Sequence, residues 1–206
     1  MTRIPVEDRR KALIAAAMRV VASRGLHAAS TRAIVAEAGM SLASFHYAFE
    51  SRDELIDRLI TETVANEEKA VVPAELDGKT LTELLTEGFM GYVAHLRADP
   101  SHEQAMLELT QHALRTRPEL ARAQYAEYAR FALSVAALAA QKSGAEWIVP
   151  LPTVAHLVVA LTDGLTLNWL VNRDDAAIEE AVTAAASAIA TLARTPSGES
   201  ISGREG

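Results

Sequence analysis

The sequence predicts an all-α fold of about nine helices. Nearly every segment of the 206-residue chain repeats apolar side chains three or four positions apart, which is the spacing of one helix face. Serine, proline and glycine stand between these segments, where helices begin and end. No segment alternates apolar and polar residues as a half-buried strand does. Hydrophobic residues make up 50% of the chain, which is enough for a sizeable core.

The first 72 residues predict four helices. Ser30, Ser41 and Ser51 stand where N-caps are preferred, and Gly25 can end the first helix. Ser51 is also followed three residues later by Glu54, which is the spacing of a capping box. We place these helices at about residues 7–24, 30–38, 41–47 and 51–72.

The segment PAELDGK (73–79) is the clearest break in the pattern, because it combines proline, glycine and charge without periodicity. We therefore expect a domain of residues 1–72, a second domain of residues 73–195 and a disordered polar tail of residues 196–206. In the second domain, Ser101 marks a capped helix start. The helices of this domain fit at about residues 80–98, 102–115, 118–142, 152–172 and 175–193.

The second and third helices meet at a glycine corner, and two short helices joined by such a turn match the helix-turn-helix pattern. Gly39 can adopt the left-handed conformation that ends a helix, and the small Ala38 lets the next helix cross closely. Phe45 and Phe49 fit the core on the other side of the corner. The alternative is an ordinary corner between two helices, which is common in all-α proteins.

The residues around this corner resemble the TetR family of transcriptional repressors. The motif covers about residues 7–60, and the rest of the chain matches the family in helix number, in helix length and in the segment Thr162-Asp163-Gly164-Leu165. Three residues depart from the family pattern, since Val35 replaces alanine, His46 replaces a tyrosine that is displaced to Tyr47, and Arg52 replaces lysine. Apart from these departures, the resemblance is carried by Ser30, Ile34, Ala38-Gly39-Met40-Ser41, Phe45-His46-Tyr47-Ala48-Phe49 and Arg52-Asp53-Glu54-Leu55.

The resemblance implies that the helix of residues 41–47 enters the major groove of DNA. Leu42, Ala43 and Ser44 are small or apolar, so they suit thymine methyl groups and single hydrogen bonds to bases. Arg32, at the start of the preceding helix, is placed to read a base or a phosphate. The alternative for the side chains of residues 46 and 47 is that they are buried in the corner between the helices and do not contact DNA. The candidate phosphate contacts are Thr31, Ser41, His46, Tyr47 and Arg52, and which member of the pair binds phosphate stays open.

The helices between residues 80 and 142, together with the eighth helix, carry aromatic, methionine and isolated polar side chains among their alanines. The resemblance implies that such a bundle encloses a pocket for a small-molecule effector, and these side chains suit a mostly apolar ligand with a few hydrogen bonds. The alternative is that each residue is ordinary core or surface. The candidate ligand-binding residues are Phe89, Tyr92, His95, Met106, Thr110, His112, Tyr125, Tyr128, Phe131, Asn168 and Trp169.

The last two helices each carry an apolar stripe, and Gly164 allows a close approach between helices. The resemblance implies that two copies of this helix pair form a four-helix bundle, so we expect a homodimer. The alternative is that both stripes face the core of their own domain. The candidate interface residues are Val154, Leu157, Val158, Leu161, Gly164, Leu165, Ile178, Val182, Ala185, Ala186 and Ile189.

Composition and motifs exclude several other classes of protein. The chain has no cysteine, which rules out disulfides and thiolate zinc sites and fits a reducing cytoplasm. It has no uninterrupted apolar run of roughly 18 residues, so we expect a cytoplasmic protein without a membrane partner. Glu108 and His112 lack a third ligand at useful spacing, so we expect neither a metal nor another cofactor. No Gly-rich phosphate loop, Gly-x-Ser-x-Gly or His-Glu-x-x-His motif is present, so we expect no enzyme.

The distribution of charge is compatible with a nucleic-acid partner. The net charge of −7 argues against one, but residues 1–60 carry nine basic and seven acidic side chains, so the excess negative charge lies beyond residue 60. We therefore expect a ligand-responsive homodimer that binds palindromic double-stranded DNA, and a repressor rather than an activator. The alternatives are a ligand-dependent activator of the same fold and an all-α interaction module that does not bind DNA.

Overall fold

The computed structural model describes residues 5–63 and 75–194, with only the backbone described at residues 62 and 63. Within these ranges the chain forms nine α-helices, one 3-10 helix and one pair of two-residue strands, so the predicted all-α fold is confirmed. The α-helices are α1 (Val6–Arg24), α2 (Thr31–Glu37), α3 (Leu42–Ala48), α4 (Arg52–Thr63), α5 (Leu81–Ala98), α6 (Pro100–Thr116), α7 (Pro118–Ser143), α8 (Leu151–Asn172) and α9 (Asp175–Ala190). The 3-10 helix is η1 (Leu26–Ala28), and the strands are β1 (Glu146–Trp147) and β2 (Ala193–Arg194).

The predicted helix bounds agree with the observed ones to within a few residues, but one predicted cap is wrong. The carboxylate of Asp99 accepts a hydrogen bond of 3.0 Å from the N–H of His102, so Asp99 caps α6 and Ser101 does not. The strands were not predicted, because two residues are too few to show an alternating pattern. The predicted continuation of the fourth helix to residue 72, the domain boundary there and the tail of residues 196–206 lie outside the described residues.

The first compact unit joins the N-terminal helices to the end of α5, to α6 and to the first part of α7, up to Tyr128. Its apolar core is continuous, because Leu13 and Val20 of α1 belong to the same buried cluster as Leu109 and Ala113 of α6. Helix α1 packs against α2, α3, α4 and α6. The helix-turn-helix is thus held by a core that a later part of the chain helps to build.

The second compact unit contains the described residues 75–91 and 129–194. In it, α8 and α9 pack as a pair that is joined by a tight corner. Arg173 has a left-handed φ of 54° at this corner, and its guanidinium carbon lies 4.5 Å from the centre of the Trp169 ring. The indole Nε1 of Trp169 donates a hydrogen bond of 2.8 Å to Asp175. These contacts fix the direction in which α9 leaves α8.

The corner after α2 is a complete Schellman motif. The N–H of Gly39 donates to the carbonyl of Ala36 at 3.2 Å, and the N–H of Met40 donates to the carbonyl of Val35 at 2.8 Å. Gly39 has a φ of +63°, the left-handed conformation that the sequence predicts for it. The direction of α3 is therefore set by local backbone hydrogen bonds as well as by the core.

We expect Gly39→Ala to lower the free energy of unfolding by about 1–2 kcal/mol, because a side chain at this left-handed φ is strained. A Cβ added at Gly39 meets no described atom within 4 Å, so the expected loss comes from the backbone alone. Gly39→Asn is the matched control and should cost less, because asparagine tolerates this conformation. Urea unfolding of the three proteins measures the difference, and equal losses in both variants would contradict a backbone cause.

Candidate nucleic-acid interface and effector site

Helix α3 has two faces of different chemistry. Phe45 and the following Phe49 are buried in the core of the first unit, as predicted. Tyr47 is 70% exposed, so the alternative of burial in the corner is wrong for this side chain, and His46 is exposed as well. The outer surface of the corner also contains the exposed Ser41, Leu42 and Ala43 and the partly buried Ser44.

Serine caps begin both helices of the helix-turn-helix. The N–H of Ser44 donates a hydrogen bond of 3.2 Å to the hydroxyl of Ser41, and the two hydroxyl oxygens lie 3.0 Å apart. Ser30 accepts a hydrogen bond of 3.2 Å from the N–H of Ala33 at the start of α2. Both caps use only nearby residues, so the side chains beside them stay accessible, including the partly exposed Thr31 and the exposed Arg32.

The start of α1 places two arginines beside the end of α3. The guanidinium carbon of Arg9 lies 5.8 Å from the centre of the Tyr47 ring. Arg10 donates a hydrogen bond of 2.9 Å from its Nε to the carbonyl of Ala48. Arg9 was not among the predicted DNA contacts, although the basic run of residues 9–11 signals it. This arrangement adds positive charge next to the exposed Tyr47.

Arg52 is engaged with the backbone of the segment that precedes α2. Its Nε donates a hydrogen bond of 2.7 Å to the carbonyl of Ala29, and its Nη2 donates one of 2.8 Å to the carbonyl of Leu26. Arg52 therefore ties the start of α4 to η1, a structural role that the sequence did not reveal. Its predicted phosphate contact stays a prediction.

In the first unit, two of the candidate ligand-binding residues, Tyr92 and His95, lie beside the buried carboxylate of Glu103. The hydroxyl of Tyr92 donates a hydrogen bond of 3.1 Å to Oε2 of Glu103, and Nε2 of His95 lies 3.6 Å from Oε1. Glu103 is only 5% exposed. It was not among the predicted site residues, because a lone acidic residue in a helical pattern is typical of a surface position.

A second polar cluster joins α6 to α7. The hydroxyl of Thr110 donates a hydrogen bond of 3.2 Å to Oε1 of Gln124, and Nε2 of Gln124 donates one of 3.1 Å to the hydroxyl of Tyr128. The rings of Tyr125 and Tyr128 pack edge to face with their centres 5.6 Å apart. Gln124 is buried and was also outside the predicted set. Met106 lies between the two clusters on the same face of α6, since residues three and four apart are neighbours on a helix.

The remaining ligand-binding candidates have varied surroundings. Phe89 is buried in the second unit, whereas Phe131 and His112 are partly buried. Trp169 is buried at the corner between α8 and α9, and Asn168 is exposed. Their role in ligand binding stays a prediction.

Glu108, which with His112 has a spacing that could bind a metal but for which we expect none, lies beside a turn of the backbone. The carboxylate oxygens of Glu108 lie 3.5 Å from the position that a Cβ would take on Gly25, so Glu108 borders the turn before η1. Across the described ranges, no group of three or more His, Asp or Glu side chains is arranged to hold a metal ion.

Most of the predicted dimer residues lie in the core of their own unit, as the alternative proposed. Leu157 and Gly164 are exposed, and Val158 and Leu161 are partly buried. The others have too little accessible surface in the single chain to contribute much to an interface. These buried residues are Val154, Leu165, Ile178, Val182, Ala185, Ala186 and Ile189.

A different apolar face of this helix pair is exposed, and we call it the α8 stripe. It consists of Leu157, Ala160, Gly164, Leu167 and Val171, which follow one another at spacings of three or four residues. Helix α9 exposes a row of small side chains at Ala177, Ala181, Ala184 and Ala188, which follow one another at spacings of three or four residues. Helix α8 is also long and apolar enough to cross a membrane by length and composition alone, which is weak evidence for a span.

Comparisons with known proteins agree with this architecture. Residues 13–59 match the model of bacterial regulatory proteins of the tetR family, and residues 81–194 match that of the C-terminal part of BetI-type transcriptional repressors. The HTH-type nicotine-responsive transcriptional repressor HdnoR of Paenarthrobacter nicotinovorans is 30% identical over 178 residues, which are 84% of this chain and 89% of HdnoR.

Solved structures show the same fold. The multidrug binding protein EbrR, in a crystal structure with imidazole, superposes with a TM-score of 0.67 at 29% identity and covers 92% of this chain and 97% of its own. A transcriptional regulator from Rhodococcus sp. Rha1 superposes with a TM-score of 0.71 at 21% identity and covers 89% of this chain and 97% of its own.

The fold, the exposed helix-turn-helix and these relatives define a DNA-binding transcriptional regulator. The chain belongs to the tetR family of bacterial regulatory proteins. Such regulators are transcription factors, which confirms the expectation that the protein is not an enzyme.

We expect Arg52→Met to lower the free energy of unfolding by about 1.5–3 kcal/mol, because it removes charged donors from two backbone carbonyls. Arg58→Met is the matched control on the same helix, where the arginine is exposed, and should change stability by less than about 0.5 kcal/mol. Urea unfolding measures both changes. If Arg52→Met is as stable as the wild type but binds DNA weakly, the main role of Arg52 is at the DNA.

Proposed function

We propose that the protein is a homodimeric repressor that binds a palindromic operator and leaves it when a small molecule binds. The observation that carries this proposal is the exposed outer face of α3, which a capped corner and a buried aromatic face hold in place. A short helix held in this way can enter the major groove as a rigid body. Leu42, Ala43 and Ser44 would contact base edges there, with Arg32 beside them.

Phosphate contacts would position the DNA-binding head, which is formed by α1, α2, α3 and α4, on the duplex. The exposed His46 and Tyr47 and the cap residues Thr31 and Ser41 can reach the backbone on either side of the groove. Arg9 adds a cation beside Tyr47, which favours an anion at this position. These contacts carry no sequence information, so they would weaken or strengthen binding to all duplexes alike.

The α8 stripe supports the dimer. Leu157, Gly164 and Val171 are seven residues apart, and this repeat is typical of helices that pack against other helices. Ala160 and Gly164 are small, so a facing helix can approach closely. A second copy of the chain is the partner that fits best, because two heads related by a two-fold axis can read two half-sites about one DNA turn apart.

The relatives support a small-molecule effector. HdnoR is named as a nicotine-responsive repressor, and EbrR is a multidrug binding protein whose structure holds imidazole. In this chain the corresponding candidates are the polar clusters around Glu103 and Gln124. An effector can release the operator only if it binds the DNA-incompetent state of the dimer more tightly than the competent one.

Helix α6 supplies a physical link between effector and DNA. One side of α6 carries Glu103 and Thr110, and another side places Leu109 and Ala113 in the core that also contains α1. Because packed cores transmit displacements instead of absorbing them, a ligand that shifts α6 also biases the position of the head.

Selection of random duplex DNA by the purified protein, read by sequencing, tests the DNA-binding part of this proposal. The expected result is enrichment of a palindrome with half-sites about one helical turn apart. Absence of any enriched sequence at low salt, without added ligand, would favour an interaction module that does not bind DNA. A reporter gene behind the selected operator then separates a repressor from an activator, because only the repressor lowers expression.

We expect Tyr47→Ala to weaken binding to all duplexes by about tenfold or more, because it removes a hydrogen bond to a charged phosphate. The slope of affinity against salt should stay unchanged, because tyrosine carries no charge. Arg9→Ala is the comparison and should lower that slope by about one unit. Ala43→Arg should instead change which sequence is selected. Unchanged affinity for Tyr47→Ala at physiological salt would contradict its phosphate role.

We expect Leu167→Glu to shift the dimer toward monomers by about tenfold or more, because it would bury two unpaired charges in the interface. Leu114→Glu is the matched control, since both leucines are 55% exposed but Leu114 belongs to α6 in the first compact unit and is not part of the α8 stripe. Sedimentation over a range of protein concentrations measures the change. A Leu167→Glu protein that stays dimeric would contradict the α8 stripe as the interface.

A further inference from the structure

We infer that Glu103 is the anchor for a protonated amine of the effector. This inference rests on the proposed function, since it names the chemical class that the effector site accepts. It also identifies one atom, Oε1 of Glu103, as the point of attachment. No comparison assigns a role to this residue.

The carboxylate of Glu103 is buried but only half satisfied. Its Oε2 accepts the hydrogen bond from Tyr92, whereas Oε1 is inaccessible to solvent and has no hydrogen bond among the described residues. Nε2 of His95 is 3.6 Å away, which is too long for a hydrogen bond. A carboxylate can only accept hydrogen bonds, so Oε1 requires a donor.

A cationic donor fits this position better than a neutral one. A buried carboxylate needs compensation of its charge as well as of its hydrogen-bonding capacity, and an ammonium group supplies both. His95 can share the charge of the carboxylate when it is protonated, but at 3.6 Å its Nε2 leaves Oε1 without a hydrogen bond. The tyrosine ring of Tyr92 lies beside the same carboxylate, and the face of a tyrosine ring attracts cations.

The same face of α6 indicates the shape of the ligand. Glu103, Met106 and Thr110 are neighbours along this face, and Glu103 and Thr110 are about 10 Å apart along the helix axis. The apolar Met106 lies between them, and the Thr110–Gln124–Tyr128 cluster follows. This order fits an amine joined to an apolar or aromatic body about one ring system long.

Matched pairs of small molecules test the inference on the full-length protein. The amines are aryl-substituted cyclic amines, with 4-phenylpiperidine first, and each is paired with its neutral tetrahydropyran isostere. Thermal shift and calorimetry then compare the wild type, Glu103→Gln and the control Glu119→Gln, whose glutamate is exposed on α7. Glu103→Gln nearly keeps the volume of the side chain, removes its charge and replaces one acceptor oxygen with an NH2 donor.

The expected result is that Glu103→Gln weakens amine binding by about 30-fold or more, because a buried charge pair loses one member. Its affinity for the neutral isosteres and the amine affinity of Glu119→Gln should stay near the wild-type values. The inference is wrong if no amine stabilises the wild type more than its isostere does. It is also wrong if Glu103→Gln binds amines as tightly as the wild type, or loses amines and isosteres equally.

Operator selection with the same proteins separates this inference from the proposed function. Glu103→Gln should select the same DNA as the wild type, and amines should release only the wild type and the control from it. Amine binding that depends on Glu103 without any selected DNA would support the anchor and overturn the repressor. Selected DNA without charge-dependent amine binding would support the repressor and overturn the anchor.

Discussion

The packing of α6 against α1 is the contact on which the rest of the first unit depends. Helix α1 contacts every other helix of the head, so whatever holds α1 in place also positions the recognition surface. Ala105, Leu109 and Ala113 of α6 are buried in the same cluster as α1. Alanine at two of these three positions keeps the side chains short, which allows close helix packing. Part of the apolar core of the head is therefore supplied by α6, a helix that comes later in the chain.

This dependence gives α6 two tasks at once. One side completes the apolar core, and a neighbouring side carries Glu103 and Thr110, the two polar residues that organise the candidate effector site. Met106 is part of the buried apolar core. It also lies next to Glu103 and Thr110 on the helix, since residues three and four apart share a helix face. A ligand that contacts this face thus touches an element of the head itself. A ligand on α6 could then affect DNA binding without a long series of intermediate contacts.

Local signals allowed the sequence to predict the corner well. The caps Ser30 and Ser41 and the left-handed Gly39 depend on their nearest neighbours, so residue type and spacing were sufficient to identify them. Long-range partners decided the rest. The apolar face of α9 was identified, but whether it packs on its own core or on a partner could not be decided, because an apolar stripe suits either. Glu103 was missed because its burial depends on α5. The structural role of Arg52 was missed because the carbonyls that it binds lie more than twenty residues earlier.

The shared core has a consequence for recombination between relatives. A chimera joined at residue 73 would combine one protein's α1 with another protein's α6, and the two sides of one buried cluster would no longer be matched in shape. Cuts at the edges of the compact unit, within α5 before Tyr92 and within α7 after Tyr128, keep that cluster intact. The segment that is inherited together with the DNA specificity is therefore discontinuous in the gene. If the proposed effector site on α6 is correct, the preference for an effector is exchanged with it as one block.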